Sequence, residues 1–275
     1  PYRDLSRAEY GIEAHPDVDT TTRDGRRLMM DVFVPTGAGQ TPALVAASPY
    51  PRQLQNTGAP FGFIEAGATD FFVPRGYAHV IANVPGTGGS DGIYALFDAS
   101  ERAALHDLVE WVAAQPWCDG NVGMIGISAF AMAQLEAAVE RPAHLRAIFP
   151  VAATLDLYEA VYHHGVFSSR FATGFLGGIA FLAARSSRVF RNRVVDAVSH
   201  VLRSQPVHER FAHFKGEAAI AALAVVGARH ISGPPWDDLF VALSVDHPTR
   251  DDFWAERDLA ARLSEVEVPC YLGCD

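Results

Sequence analysis

The sequence predicts an α/β fold: a mostly parallel sheet in the first half of the chain, interrupted by an α-helical insertion and then resumed. Three observations lead there. Strand-like and helix-like patterns alternate as far as Val151, as they do when parallel strands are joined by helices. A strand pattern ending at Ile127 passes into a helix pattern at Ser128 with no loop between them. From about Leu155 to about Leu263 helical stretches and aromatics replace strand patterning, and an apolar run then returns at Val268–Gly273.

Taken in order, Arg27–Pro35 alternates and stops at a proline, as an edge hairpin strand would. Ala43–Ser48 and Ala78–Val84 are short apolar runs ending in Pro/Gly-rich loops, the pattern of strands buried on both faces. Ala99–Ala114 is a helix, because Ala103, Leu105, Leu108, Val109 and Val112 recur at helical spacing and Pro116 stops it. Asp119-Gly120-Asn121 is turn chemistry, Val122–Ile127 a strand, Ser128–Glu140 a helix and Leu145–Val151 the next strand. The apolar segment at residues 171–184 holds 14 residues, too few to span a bilayer, and reads as a buried helix of the insertion. The predicted division is residues 1–154 for the first part of the core, 155–264 for the helical insertion and 265–275 for a returning strand. Ending on a buried strand and beginning without Met, the sequence is expected to be the N-terminal part of a longer protein.

The chain has 275 residues, 49% hydrophobic, 11% aromatic and 20% charged, which suffices for a large core with an inserted subdomain and excludes disorder. A net charge of −10 without a Lys/Arg cluster excludes an electrostatic nucleic-acid surface. Three cysteines, Cys118, Cys270 and Cys274, make neither a disulfide framework nor a zinc site, and with no signal segment a cytoplasmic location is expected. The Gly-rich run Gly86–Gly92 has Asp91 where a dinucleotide fingerprint needs its third glycine, and no helix pattern starts there. No cofactor, metal or membrane partner is therefore expected, and homo-oligomerisation is left open.

Chemistry concentrates at Gly126-Ile-Ser128-Ala129-Phe130-Ala131. A serine at a sharp strand-to-helix turn flanked by small residues is the nucleophile-elbow arrangement of the α/β-hydrolase fold, which aims the hydroxyl out of the sheet. The helix N-terminus behind it favours developing negative charge, and the Ala129 N–H is a natural oxyanion donor. On the local pattern alone Ser128 reads equally well as a helix N-cap, because Phe130 stands where such elbows usually have glycine.

The wider context carries a resemblance. Ala114–Leu135, containing Trp117-Cys-Asp-Gly-Asn-Val-Gly123, is similar to the elbow region of the cocaine-esterase and X-prolyl dipeptidyl-peptidase family of serine hydrolases. Ser48-Pro-Tyr50, Gly86–Gly92, Asp156–Glu159, Tyr162–Phe167, and Asp251–Arg257 followed by Val268-Pro269 resemble further stretches of that family in the same order. The resemblance implies that Tyr50 donates its phenol O–H to the oxyanion beside the Ala129 N–H. It places a triad acid at or near Asp275, where the family's Gly-x-x-Asp reads Gly273-Cys-Asp. Chain order Ser, Asp, His puts the base after that acid, so His163 and His164 are read as lining residues of the insertion rather than as the base. The chain departs from the family at Ala129, usually tyrosine, and at Asn83-Val-Pro85, usually Asp-x-Arg.

The expected activity is cleavage of an ester or amide through an acyl-enzyme, on a small substrate with a bulky, partly apolar acyl side. Tyr158, Tyr162, Phe167 and Phe171 are the expected substrate contacts. An X-prolyl dipeptidyl-peptidase is the nearest alternative and would need an anchor for a substrate amine, with Glu159 or Asp156 as the candidates. A hydrolase-like binding scaffold without a base is the non-enzymatic one.

Overall fold

The structure, a computed structural model, describes residues 5–55, 65–183 and 235–273. Six strands form one sheet: β1 (Gly11–Thr21), β2 (Arg27–Thr36), β3 (Thr41–Ser48), β4 (Ala78–Asn83), β5 (Cys118–Ile127) and β6 (Leu145–Val151). Their order is β1-β2-β4-β3-β5-β6. β1 and β2 enter antiparallel, while β4, β3, β5 and β6 run parallel.

The apolar runs behave as their composition requires. All six residues of β4 are buried, and alternate residues feed two cores. Val32, Val45, Val80 and Ala82 join the large core with the helices that cover that face, while Phe33, Ala46 and Ile81 join a small one on the other. Two features differ from expectation. β2 is an interior strand, paired on one side with β4 and on the other with β1, rather than an edge. β5 begins at Cys118, so the Asp119-Gly120-Asn121 turn chemistry is absorbed into a strand.

Short helices α1 (Arg52–Gln55) and α2 (Thr69–Phe72) precede β4. α3 (Ala99–Ala113) is capped by Asp98, whose side chain accepts from Glu101 N at 2.8 Å. α4 (Ala129–Val139) has all eleven residues buried, so it is a central helix apolar nearly all round. Its one amide, Gln134, is satisfied by the strands it joins: Nε2 donates to Gly126 O at 3.2 Å and Oε1 accepts from Phe149 N at 2.8 Å.

Beyond β6 the described part of the insertion contains α5 (Leu157–Val161), a two-residue hairpin of β7 (Tyr162–His163) and β8 (Val166–Phe167), α6 (Ser169–Ala183), α7 (Trp236–Val241) and α8 (Asp252–Glu256). Residues 269–273 then run parallel beside β6. Cys270 bridges Ile148 and Gly273 bridges Val151, and Tyr271 N donates to Ile148 O at 3.0 Å.

Candidate active site

Ser128 joins β5 to α4 at φ 60°, ψ −119°, a region of backbone space that costs a non-glycine residue about 1–3 kcal/mol. Neighbouring main chain holds it there. Ser128 N donates to Val151 O at 2.9 Å, and the Ser128 carbonyl accepts from Ala131 N at 2.9 Å and Met132 N at 3.0 Å. The hydroxyl makes no capping bond to α4, so the N-cap reading of this serine fails and its oxygen is left for other use.

The bend dictates its neighbours. Gly126 has φ 135°, and a Cβ there would lie 2.3 Å from Phe130 Cβ and 3.1 Å from Glu65 O. Phe130, fully buried, occupies the plus-two position because its ring fills the small core with Phe33, Ala46, Ala66, Val73 and Ile81. Gly126→Ala is expected to destabilise the fold by about 2 kcal/mol or more, through strain at a positive φ and the clash with Phe130. Chemical denaturation measures it, and an unchanged midpoint would show that the bend relaxes freely.

Ser128 and Ala129 form part of the wall of a cavity of about 250 Å³. Its lining is otherwise almost wholly apolar and includes Leu96, Phe97, Met132 and Phe175, with Thr154 the other hydroxyl. As the first residue of α4, Ala129 has an N–H with no acceptor inside its own helix.

Tyr50, two residues past β3, is brought to the same place. Its phenol comes close enough to the Ser128 side chain to act on it electrostatically. Burial, with the nearby Glu65 charge adding to it, pushes the phenol far above its ordinary range, so it stays protonated and able to donate. The Tyr50 ring leans on Phe130 with centroids 6.1 Å apart, its N–H donates to Ser48 Oγ at 3.0 Å, and its carbonyl accepts from Asn83 Nδ2 at 2.7 Å. Glu65 itself is pushed up to about 7 by burial, and its Oε2 has no hydrogen-bond partner among the described residues.

The expected substrate contacts divide. Phe171 lines the cavity and stacks on Phe175 at 5.8 Å. Tyr158, Tyr162 and Phe167 are not among the described lining residues; they form an aromatic cluster beside it. Tyr162 stacks on Tyr158 at 5.0 Å, meets Phe167 at 5.3 Å, and donates its O–H to Leu243 O at 2.8 Å. The Tyr162 phenol thus has its hydrogen bond satisfied inside the insertion.

Leu96 and Phe97 were not anticipated as lining residues. Both have φ 59°. Glu101 Oε2 accepts from Phe97 N at 3.1 Å, and Arg257 Nε donates to Leu96 O at 2.9 Å. The helical spacing after Ala99 gave the helix, but nothing in the sequence announced that the residues preceding it turn into a cavity.

Asp275 lies outside the described residues. The chain reaches Gly273 beside Val151, whose carbonyl also anchors Ser128 N. His163 and His164 are exposed on the β7–β8 hairpin and do not line the cavity. Asp156 and Glu159 are both engaged by Arg250, the latter at 3.0 Å. Among the described residues no group of three or more His, Cys, Asp or Glu is placed to hold a metal, and no helix is long and apolar enough to cross a membrane.

Against known proteins, the chain matches the family described as X-Pro dipeptidyl-peptidase (S15 family) over residues 24–273. Cocaine esterase of Rhodococcus sp. (strain MB1 Bresler) is 30% identical over 262 residues, 91% of this chain and 41% of that protein. The Xaa-Pro dipeptidyl-peptidase of Lactobacillus helveticus is 27% identical over 112 residues, 35% of this chain and 14% of that protein. Among solved structures, a CocE/NonD family hydrolase from Staphylococcus aureus shares the fold with a TM-score of 0.67 at 23% identity, covering 98% of this chain and 45% of that one. The chain thus spans less than half the length of each of these proteins.

Proposed function

Because the chain belongs to the X-Pro dipeptidyl-peptidase (S15) family of hydrolases, we propose that Ser128 is the nucleophile of an acyl hydrolase acting through an acyl-enzyme. The observation that carries the reading is the strained elbow that sets Ser128 at the wall of an apolar cavity, its hydroxyl free of any cap bond and the buried, neutral Tyr50 phenol beside it. Attack of Ser128 Oγ on a carbonyl carbon moves negative charge to the carbonyl oxygen. The Tyr50 O–H and the Ala129 N–H are the two donors assigned to it. The triad acid is assigned at or near Asp275, and the base to a histidine following it in chain order. The division into core 1–154, insertion 155–264 and return 265–275 is part of the same proposal, as is a cytoplasmic setting, in keeping with Cys118 and Cys270 being free.

The substrate class follows from the cavity. An almost wholly apolar pocket of about 250 Å³ suits an uncharged acyl group. Asp156 and Glu159, which a peptidase reading would use to hold a substrate amine, already bind Arg250. An ester is therefore favoured over an X-prolyl peptide. Fluorophosphonate labelling of the full-length protein, located by mass spectrometry, tests the nucleophile, and matched panels of aryl esters and X-prolyl anilides test the substrate. Modification of Ser128 with ester turnover supports the reading, whereas an unlabelled serine in folded protein points to a binding scaffold.

Glu65 gives this activity a pH signature. Its carboxyl, raised to about 7 by burial, is neutral below that pH and anionic above it. Its charge acts on Tyr50, so ionisation opposes the oxyanion that Tyr50 is assigned to bind. kcat/KM is expected to decline as pH rises through about 7, and Glu65→Gln to remove that decline. A descending limb unchanged in Glu65→Gln would assign it to another group.

A further inference from the structure

We propose that Arg52 is a positioning residue for the oxyanion donor: its guanidinium locks Asn83, and through Asn83 the main chain of Tyr50, against the Gly-rich loop. The proposal rests on the reading of Tyr50 and Ser128 given above and adds a residue that reading does not contain.

Arg52 opens α1 two residues after Tyr50, and its side chain is 1% exposed. A buried guanidinium needs partners for its donors, and here they come from four separate parts of the fold. Nε donates to Asp31 Oδ1 on β2 at 2.9 Å, and Nη2 to Asp17, beside the bulge in β1. Nη1 donates to Asn83 Oδ1 at the end of β4 at 2.9 Å and to Gly88 O at 2.7 Å. Two carboxylates balance the buried cation, while the Asn83 and Gly88 contacts are with neutral oxygens.

The contact with Asn83 reaches the site. With Oδ1 occupied by Arg52, the Asn83 amide turns its N–H groups to the carbonyls of Tyr50, at 2.7 Å, and Ser48, at 3.3 Å. Gly88 packs so closely on the same amide that a Cβ there would lie 2.0 Å from Asn83 Oδ1. The loop itself carries no arginine, since residues 83–92 read Asn-Val-Pro-Gly-Thr-Gly-Gly-Ser-Asp-Gly. Arg52 reaches the loop from α1, and one planar fork thereby fixes the loop, the strand end and the segment bearing the phenol. A lysine keeps the charge but offers a single nitrogen for sites lying in divergent directions.

The test is a double-mutant cycle in the full-length protein, with aryl-ester turnover and fluorophosphonate labelling as readouts. Arg52→Lys is expected to lower kcat about 10- to 100-fold, by misplacing the phenol, with KM changed by less than about threefold. In a Tyr50→Phe background the same substitution is expected to cost less than about threefold, because the group it positions is already gone. Equal losses in both backgrounds would show general loosening of the fold, and no loss in the first would show that Arg52 does not set the phenol; either overturns the inference. Should Arg52→Lys not fold, Asp17→Asn weakens the same fork from its more exposed side, and the same non-additivity with Tyr50→Phe is required at smaller amplitude. A wild-type protein that neither labels at Ser128 nor turns over ester would sink the functional reading as well. Normal wild-type activity with an additive cycle sinks only the role of Arg52.

Discussion

Ser128→Ala is expected to lower ester turnover by about 10⁶-fold and to abolish fluorophosphonate labelling while leaving the fold intact. The two halves of that expectation come from different observations. The chemical half follows from the assigned mechanism: the hydroxyl is the atom that bonds to the acyl carbon, and neither oxyanion donor can replace it. The structural half follows from what the hydroxyl does not do. It makes no bond to the start of α4, so its removal lacks the ~1 kcal/mol cost typical of a lost cap. Alanine also keeps the Cβ, so the strain at φ 60° is the same before and after, and the bonds to Val151, Ala131 and Met132 use only main chain. The denaturation midpoint should shift by no more than ~0.5 kcal/mol in free-energy terms. A variant that loses a full cap's worth of stability and keeps its turnover would return Ser128 to the N-cap role that its sequence context also allowed.

What the sequence could show and what it could not divide along physical lines. The buried strands β3 and β4 and the helix α3 were legible because each carries its own period: unbroken apolar runs in the strands, helical spacing in Ala103–Val112. The elbow was legible because a strand pattern met a helix pattern at one residue. β1 was not: although Ile12, Ala14 and Val18 alternate with polar residues, most of the strand is exposed and Pro16 sits at a bulge, so main-chain pairing with β2 rather than a buried face makes it a strand. The error at β2 follows from that, because a strand looks like an edge when its outer partner is invisible. Phe130 looked like a flaw in the elbow and is part of the small core that also supports Tyr50. The aromatics of the insertion were identifiable as apolar mass, but which of them faces the cavity depends on packing between segments distant in sequence. Phe171 is among its lining residues, whereas Tyr162, hydrogen-bonded to Leu243 81 residues on, is not. Arg52 is the clearest case: its partners Asp17, Asp31, Asn83 and Gly88 lie 21 to 36 residues away, and no local pattern links them.

Tyr50→Phe isolates the oxyanion-donor role assigned to Tyr50 from everything else that residue does. The ring stays, and with it the contact with Phe130, while the main-chain bonds to Ser48 and Asn83 are untouched; only the phenol O–H beside Ser128 is lost. Turnover is expected to fall by about 10²–10³-fold, the usual loss for one such donor, with the remaining stabilisation coming from the Ala129 N–H. KM for an aryl ester should change little, because the phenol's bond strengthens as charge develops on the oxygen rather than when the neutral carbonyl first binds. Labelling at Ser128 should persist at a reduced rate, since the nucleophile itself is intact. Burial keeps the phenol protonated well above its ordinary range, so the ratio of wild-type to Tyr50→Phe turnover should show no step from phenol ionisation near pH 10. A step there would mean that the phenol is exposed to solvent in the working enzyme. A loss confined to KM would mean that it holds the ground-state substrate rather than the oxyanion, and the assignment of Tyr50 would have to change even if Ser128 remained the nucleophile.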